Sequence, residues 1–220
     1  MNNFEKPFFK KISFDNDVYH NKNILSKKIY YQKILVIGGA GTIGSSYVKQ
    51  ILKYKPSKIT VVDINENGLT ELTRDLRSSN LLDYNPEYIT YPVNLLSDTF
   101  DKIFNSGTWH VVANFSAHKH VRSEKDKISV EALIKNNVYG AIKLLNLCEL
   151  NSPEYFFSVS TDKAANPVNI MGASKSLMEK LILSKKDLFR VSTARFANVA
   201  FSNGSLLDGF VYRLNKKQPL

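Results

Sequence analysis

Cysteine is nearly absent from this 220-residue chain, which contains only Cys148. A lone thiol cannot form an internal disulfide, and it supplies one ligand where a structural zinc site needs four. Cys148 ends the apolar stretch 141–148, which predicts a buried helix face. The histidine pair His118 and His120 has no third metal ligand at a recognisable spacing. The sequence therefore predicts neither a disulfide framework nor a metal site.

Long apolar runs are absent as well. No run approaches the roughly 20 residues that span a bilayer, and charged residues interrupt the N-terminus, so no signal peptide is visible. With 43% hydrophobic and 23% charged residues, the composition is that of an ordinary globular domain large enough for a real core. These features predict a soluble, cytoplasmic protein.

The chain also lacks a long basic run, although its formal net charge is +10. Its lysines are scattered, and no basic stripe interleaved with aromatic residues, as in proteins that bind single strands, is present. This spread argues against a nucleic-acid or membrane-surface partner and predicts a solvated, lysine-rich surface. A local surplus of positive charge that helps to hold a dinucleotide or a nucleotide sugar is compatible with such a surface.

From Lys33 onward, short apolar runs alternate with amphipathic segments. This alternation predicts an α/β fold, a Rossmann-type doubly wound parallel sheet with helices on both faces. Residues 1–32 show no clear period and are interpreted as an N-terminal extension, packed or mobile, before one domain at 33–220. Strands are predicted at 34–37, 59–62, 88–93, 109–114, 155–160 and 190–196. Helices are predicted at 42–54, 67–77, 98–104, 130–150 and 171–184.

The first predicted strand leads into a glycine-rich turn at 38–44 that opens the next helix. Glycines allow a tight turn and close approach of the backbone to a pyrophosphate, and a helix N-terminus attracts anions. Asp63 ends the second strand about twenty residues further on, where a carboxylate can bind the hydroxyls of an adenine ribose. It would repel a 2′-phosphate, which favours NAD over NADP, although Arg74 and Arg77 lie on the following helix. The predicted cofactor contacts in this region are Gly38, Gly41, Thr42, Ile43, Gly44 and Asp63.

Residues 160–175 carry the densest set of candidate catalytic groups. The polar triplet Thr161, Asp162 and Lys163 follows the fifth predicted strand, and Lys175 follows on the next predicted helix. Hydroxyl, carboxyl and amine groups so placed can exchange protons with a bound substrate.

These motifs resemble the extended short-chain dehydrogenase/reductases. In that family the first loop is G-x-x-G-x-x-G, and the fourth strand ends in a small-residue motif like Asn114-Phe115-Ser116-Ala117. Asn137 is similar to the family's asparagine on the central helix. Residues 158–175 resemble the polysaccharide-biosynthesis branch, the UDP-N-acetylhexosamine 4,6-dehydratases. The resemblance runs from about Lys33 to the C-terminus.

The resemblance implies NAD as the cofactor and a UDP-sugar substrate, with UDP-N-acetylglucosamine favoured. It also implies a homo-oligomer paired through the long helices. The further cofactor contacts that it implies are Asn114, Ser116, Ala117 and Lys175. The substrate contacts that it implies are Lys119, Asn198 and Ser205.

The resemblance also implies roles in catalysis. Thr161 would bind the C4 oxygen of the sugar, Lys163 would remove the C5 proton, and Asp162 would protonate the leaving C6 hydroxyl. Lys175 would contact the nicotinamide ribose, where its charge favours deprotonation. Asp162 needs a raised pKa to donate a proton near neutral pH, although the adjacent Lys163 opposes this. We expect either desolvation by the substrate or proton exchange within the pair to resolve the conflict.

Met171 departs from the general family pattern, in which a tyrosine base lies four residues before the lysine, and it resembles a sub-branch of the dehydratases that carries methionine there. A thioether cannot take the proton of the C4 hydroxyl, so Thr161, Asp162 or a water that leads to Lys175 must do so. Two alternatives to a dehydratase stay open: a C4 or C5 epimerase, and a catalytically weak module that binds NAD or a nucleotide sugar. Two other Y-x-x-x-K pairs, Tyr139 with Lys143 and Tyr212 with Lys216, do not follow the fifth strand and are interpreted as chance pairs.

Family members continue for roughly another hundred residues, in a smaller lobe that holds the uridine diphosphate. The sequence ends before such a lobe, so we expect the lobe to be missing or truncated.

Overall fold

A six-stranded parallel sheet forms the centre of the protein. The computed structural model describes residues 15–118, 124–202 and 204–219. Its strand order is β3-β2-β1-β4-β5-β6, and every neighbouring pair is parallel. This arrangement confirms the predicted doubly wound sheet. The strands are β1 (Lys33–Ile37), β2 (Lys58–Asp63), β3 (Glu87–Pro92), β4 (Val111–Asn114), β5 (Tyr155–Thr161) and β6 (Arg190–Phe196).

Helices connect the strands and cover both faces of the sheet. They are α1 (Asp15–His20), α2 (Lys22–Ile29), α3 (Thr42–Leu52), α4 (Glu66–Ser78), α5 (Asp98–Asn105), α6 (Lys127–Ile134), α7 (Gly140–Leu150), α8 (Ile170–Leu183) and α9 (Leu206–Asn215). A π-helical segment, Lys135–Tyr139, separates α6 from α7, and a 3₁₀ turn, Asp162–Ala164, follows β5.

Successive residues of β1 are buried alternately in one and the other of two apolar clusters. Leu35 and Ile37 belong to the cluster that contains α5, α7 and α8 residues, whereas Ile34 and Val36 belong to the cluster under α3 and α4. Because successive side chains of a strand point to opposite faces, a strand covered on both sides needs an uninterrupted apolar run. This requirement explains the sequence 34–37, in which every residue is buried.

The order of the strands creates a crevice above β1 and β4. The chain leaves β1 towards β2 and β3, and then crosses back to build β4, β5 and β6. The loops after β1 and β4 therefore turn to opposite sides and leave a space between them at the carboxyl ends of the strands. Ligands of open α/β sheets bind in this crevice.

Two predicted elements differ from the structure. The single helix predicted at 130–150 is interrupted by the π-helical segment. The fourth strand begins at Val111, two residues later than predicted. Trp109 is instead a buried core side chain whose Nε1 donates to the Phe104 carbonyl at 2.8 Å.

The described part of the N-terminal extension, residues 15–32, is largely helical rather than irregular. Ile29 at the end of α2 packs against the cluster under α3 and α4. Lys28 lies over the Tyr155 ring, 4.6 Å from its centroid. The end of the extension is thus attached to the amino edge of the sheet.

Across 15–118, 124–202 and 204–219, no helix has the length and apolarity needed to cross a membrane.

Candidate functional site

A cavity of about 640 Å³ opens at the carboxyl ends of the strands. Its wall includes residues that follow each of the six strands, from the glycine loop after β1 to the segment after β6. This volume lies in the usual range of small-molecule and cofactor sites. The predicted site residues that line it are Gly38, Gly41, Thr42, Ile43, Gly44, Asp63, Ser116, Ala117, Thr161, Lys163, Met171, Lys175, Asn198 and Ser205.

The glycine loop is packed too tightly for side chains at three of its positions, Gly38, Gly39 and Gly44. Gly38 has φ +74°, and a Cβ atom there would lie 2.5 Å from the Ser116 nitrogen. A Cβ atom on Gly44 would lie 2.3 Å from the Gly38 carbonyl oxygen. The loop therefore places backbone, not side chains, against the cavity. No side chain caps α3 at Gly41, so the positive end of this helix favours an anion at the loop.

Asp63 supports the glycine loop and lines the cavity. Its Oδ2 accepts from the Ala40 amide at 2.9 Å, and its Oδ1 accepts from the Asn65 amide at 2.9 Å. An ionised carboxylate can accept further bonds at each oxygen, so both oxygens can also bind the hydroxyls of a ribose. The guanidinium of Arg74 pairs with Glu71 on the exposed side of α4 instead.

Asn114 is buried beneath the cavity wall rather than in it. Its Oδ1 accepts from the amide and the hydroxyl of Ser116, at 3.0 and 2.7 Å, and its Nδ2 donates to the Ser158 hydroxyl at 3.3 Å. Asn114 thus shapes the turn that presents Ser116 and Ala117 to the cavity, and does not itself line it. In this structure Asn114 thus supports the turn, and its predicted contact with a cofactor stays a prediction.

Asn137 joins the loop after β4 to α8. Its Oδ1 accepts from the His118 amide at 2.9 Å, and its Nδ2 donates to the His118 carbonyl and the Ser174 hydroxyl, both at 3.1 Å. Asn137 lies in the π-helical segment, a rare geometry found mainly at functional sites. The side chain holds two walls of the cavity together.

The predicted triplet forms a connected group at the end of β5. The Thr161 hydroxyl donates to Asp162 Oδ1 at 2.9 Å, and the Lys163 ammonium lies 3.1 Å from the same oxygen. Thr161 and Lys163 line the cavity, whereas Asp162 stands beside it with a side chain that is 51% exposed. The hydroxyl, the carboxyl and the amine are therefore close enough to pass protons to one another.

The pKa of Asp162 moves opposite to the direction required of a simple acid. The hydrogen bond from Thr161, followed by that from Lys163, lowers the pKa of this carboxyl below its usual value. Burial raises this pKa less than the hydrogen bonds lower it, because the side chain stays half exposed. The carboxyl is therefore ionised at neutral pH, and the adjacent Lys163 opposes a raised pKa, as expected from the sequence.

The first turn of α8 brings Met171 against the triplet. Met171 is only 3% exposed, and its amide donates to Glu124 Oε1 at 2.7 Å. Asn169 caps the helix by accepting from the Gly172 amide at 2.8 Å. Met171 thus fills the position expected of a tyrosine with an apolar wall.

Lys175 is a buried ammonium group one turn further along α8. It is 3% exposed, and its Nζ donates to the Val159 carbonyl at 3.2 Å. Burial lowers the pKa of Lys175 to about 8, although the negative charge of Glu179 opposes the shift. Burial of a cation without a carboxylate in direct contact is costly, which is typical of functional groups.

The other residues singled out in the sequence lie inside the cavity wall, away from it, or outside the described residues. Asn198 and Ser205 line the cavity as predicted, whereas Lys119 and His120 lie outside the described residues. Tyr139 and Tyr212 are exposed and absent from the cavity wall, as expected of chance pairs. Cys148 is buried, and burial raises the pKa of its thiol to about 12. The described part of the chain contains no group of three or more His, Cys, Asp or Glu that could hold a metal ion.

Sequence reasoning missed several residues of the cavity wall. Asn94 and Leu95 line it just after β3, and Asn136 lines it from the π-helical segment. Since ligands bind at the carboxyl ends of parallel strands, the end of β3 could have been included from the sequence. No feature of the sequence marked Asn136 as a site residue, because the sequence predicts one continuous helix over 130–150.

Comparison with known proteins agrees with this fold. Residues 34–220 match the protein family described as "Polysaccharide biosynthesis protein". The chain belongs to this family.

Two relatives illustrate the likeness. The "Uncharacterized membrane protein MJ1061" of Methanocaldococcus jannaschii is 35% identical over 85% of this chain and 55% of that protein. The UDP-N-acetylglucosamine 4,6-dehydratase (inverting) of Campylobacter jejuni subsp. jejuni serotype O:23/36 is 31% identical over 81% of this chain and 52% of that protein. The chain thus spans about half the length of these relatives.

A solved structure shares the same architecture. The X-ray structure of Pen from Bacillus thuringiensis has a TM-score of 0.72 and 25% identity, over 86% of this chain and 56% of that one. The sheet and the helices around it are therefore a known arrangement.

Proposed function

We propose that this protein is an NAD-dependent nucleotide-sugar 4,6-dehydratase that acts on a UDP-N-acetylhexosamine, with UDP-N-acetylglucosamine preferred. The observation that carries the proposal is that Thr161, Lys163 and Lys175 line the same cavity as the glycine loop. A sugar bound beside a dinucleotide in this cavity would meet all three side chains. A relative at 31% identity bears the name of this activity.

The residues around the glycine loop fit NAD. The absence of room for a Cβ atom at Gly38 and Gly44 keeps the loop close to where a pyrophosphate would lie. The Asp63 carboxylate suits a ribose with free hydroxyls and would repel a 2′-phosphate. Bound NAD would supply a reversible hydride acceptor, which takes a hydride from C4 of the sugar and returns it at C6. Lys175 would hold the nicotinamide ribose, and its positive charge would favour deprotonation nearby.

We assign the acid and the base of the elimination to one ion pair. Asp162 is ionised, and the Lys163 ammonium lies 3.1 Å from its Oδ1. A substrate that excludes water would destabilise both charges, so a proton passes from Lys163 to Asp162. This transfer converts the pair into a neutral amine and a neutral carboxyl. The pair thereby becomes a base and an acid at once.

The elimination then restores the ion pair. Lys163 takes the C5 proton, which the neighbouring C4 ketone acidifies, while Asp162 gives its proton to the C6 hydroxyl. The C5–H and C6–O bonds break, a C5–C6 double bond forms, and water leaves. Return of the hydride to C6, with a proton from the Lys163 ammonium to C5, gives a 4-keto-6-deoxy sugar. The cycle needs no second substrate.

Thr161 is the group that we place at the C4 oxygen. Met171 cannot accept a proton, whereas the Thr161 hydroxyl is bonded to Asp162 at 2.9 Å and can accept from a second donor. The proton of the C4 hydroxyl would leave through this hydroxyl to solvent, and the Lys163–Asp162 pair would regain one proton from solvent after C5 is protonated.

Mass spectrometry after incubation of a version that carries the smaller lobe with NAD and UDP-N-acetylglucosamine tests the proposal. We expect a product lighter by one water without net consumption of NAD. In heavy water, deuterium should appear at C5. Asp162→Asn and Lys163→Met should each lower turnover by at least about 100-fold, since each removes a general acid or base. Lys180→Met, on the exposed side of α8, is the matched control and should keep wild-type turnover.

The same measurements separate the alternatives. A product of unchanged mass with an inverted carbon would indicate an epimerase. NAD binding with no product from any common UDP-N-acetylhexosamine would contradict an enzyme and indicate a binding module. In that case Lys163→Ala would leave the biological role intact.

A further inference from the structure

An ion pair between a buried glutamate and a half-exposed arginine follows Lys175 along the fold and takes no part in the proposed chemistry. Glu179 is 5% exposed, and Arg195 binds it with two parallel contacts, Nε to Oε1 at 3.0 Å and Nη2 to Oε2 at 2.6 Å. Such a bidentate pair fixes both the distance and the orientation of its partners. It joins two elements that are neighbours only in the folded protein.

The pair connects the helix of the buried lysine to the far wall of the cavity. Glu179 is on α8, one helical turn after Lys175, so the two side chains lie on the same face. Arg195 is the penultimate residue of β6, and the cavity wall begins at the next residue and runs along 196–199. Any movement of this wall relative to α8 must therefore strain the Glu179–Arg195 contact.

The pair also determines the charge around the Lys175 ammonium. The direct partners of this ammonium are neutral: the Val159 carbonyl at 3.2 Å and the Met178 sulfur at 3.6 Å. Glu179 raises the pKa of Lys175 against the effect of burial, and Arg195 keeps Glu179 ionised by lowering its pKa. The other charged groups nearby, Asp162 and Lys163 on the 3₁₀ turn, are paired with each other.

We propose that Glu179 and Arg195 are positioning residues, which hold the 196–199 wall against α8 and keep the buried Lys175 charged for the cofactor. This inference rests on the proposed function in one respect, the contact between Lys175 and NAD. Glu179 and Arg195 act through the lysine and the wall. Neither is assigned a step in the chemistry.

The titration of Lys175 tests the electrostatic part in the 220-residue chain, by NMR with labelled lysine side chains. Glu179→Gln removes the negative charge and should lower the apparent pKa of Lys175 by about one unit. Arg195→Gln leaves Glu179 uncompensated and should shift the same pKa upward. A purely structural pair would lower thermal stability in both variants without opposite shifts. An unchanged titration in Glu179→Gln, or shifts of the same sign in both variants, would overturn the inference.

Calorimetric binding of NAD and of UDP, in a version that carries the smaller lobe, tests the positional part. At pH 8, Glu179→Gln should weaken NAD binding about fivefold, because fewer molecules carry a charged Lys175. Arg195→Gln should weaken UDP binding by at least about threefold through loss of the bidentate contact, and Arg195→Lys should restore it only in part. Equal UDP binding by Arg195→Gln and the wild type would contradict the positional role.

Arg190→Gln is the matched control. Arg190 is on the same strand, but it is exposed at the opposite end and lies 3.5 Å from Glu154. It should change neither the titration nor binding. Failure of the wild-type protein to bind NAD would count against the proposed function, whereas normal wild-type binding with unaffected variants would count against this inference alone.

Discussion

The carbonyl of Lys163 packs against the first turn of α8 at Gly172, where a Cβ atom would lie 2.7 Å from the carbonyl oxygen. This contact positions the backbone of the proposed base relative to the helix that carries Met171 and Lys175. The Lys163 carbonyl oxygen belongs to the backbone, and the position of a Cβ atom on residue 172 is fixed by the backbone. Neither atom could therefore move away from the other without a shift of the main chain. The absence of a side chain at Gly172 is thus part of the site.

Substitution Gly172→Ala should therefore harm turnover more than stability. Alanine favours a helix by about 1 kcal/mol over glycine, which offsets part of the steric cost. The displaced Lys163 should lower dehydratase turnover at least about tenfold, as a small misplacement of a catalytic group does. Gly209→Ala in α9, where a Cβ atom meets nothing within 4 Å, is the control and should keep full turnover. Unimpaired turnover in Gly172→Ala would show that this contact does not position the base.

Replacement of Lys175 by methionine should stabilise the protein at neutral pH. Its folded pKa of about 8 is below the usual 10.5, so between these values the unfolded chain binds a proton that the folded chain does not. Wild-type stability therefore gains up to about 3 kcal/mol as pH rises through this window, and that amount is missing below it. Lys175→Met should lack the rise, unfold at a higher temperature at pH 7, and bind NAD weakly.

Chemical denaturation at pH 7, 8, 9 and 10 measures the difference between wild type and Lys175→Met. Titratable groups that both proteins contain contribute equally to the two free energies of unfolding, so their contributions cancel in the difference. The exposed Lys180→Met gives the baseline and should follow the wild-type curve. A difference that does not vary with pH would mean that Lys175 titrates normally.

Alanine at Gly38 should disrupt the cofactor loop. The left-handed conformation at φ +74° costs a non-glycine residue about 1–2 kcal/mol, and the new Cβ atom would also meet the Ser116 backbone. We expect a lower melting temperature and at least about a tenfold loss of NAD affinity, since the loop must move from the pyrophosphate. Gly107→Ala, where a Cβ atom has open space, should change neither quantity. Wild-type NAD affinity in Gly38→Ala would exclude this loop as the pyrophosphate site.

Leucine at Met171 should preserve activity. The two side chains have similar volumes, so the exchange in a site that is 3% exposed should cost less than about 1.5 kcal/mol. If the thioether carries no proton, turnover should remain within about threefold of wild type, because the relay through Thr161 is intact. A loss of 100-fold or more with retained NAD binding would assign Met171 a chemical role.

Much of the site could be predicted because its signals are local. The apolar runs 34–37 and 59–62 and the glycines after the first of them define a strand, a turn and a helix from neighbouring residues alone. The π-helical segment could not be predicted in this way. Its Asn137 is satisfied by His118 and Ser174, which come from other elements of the chain. The predicted domain boundary at residue 33, the homo-oligomer and the cytoplasmic location stay predictions.

The sequence by itself determined the order of strands and helices, the glycine loop and the presence of a hydroxyl, a carboxyl and two amines near the end of β5. These properties follow from residue type and spacing, which fix backbone geometry and the inventory of polar groups. Only the tertiary structure decided the state of those groups. Asp162 is half exposed and ionised beside Lys163. Lys175 is buried away from solvent, and Asn114 is buried beneath the cavity wall. Burial and electrostatic fields depend on neighbours distant in sequence, as between Glu179 and Arg195, and such neighbours meet only when the chain has folded.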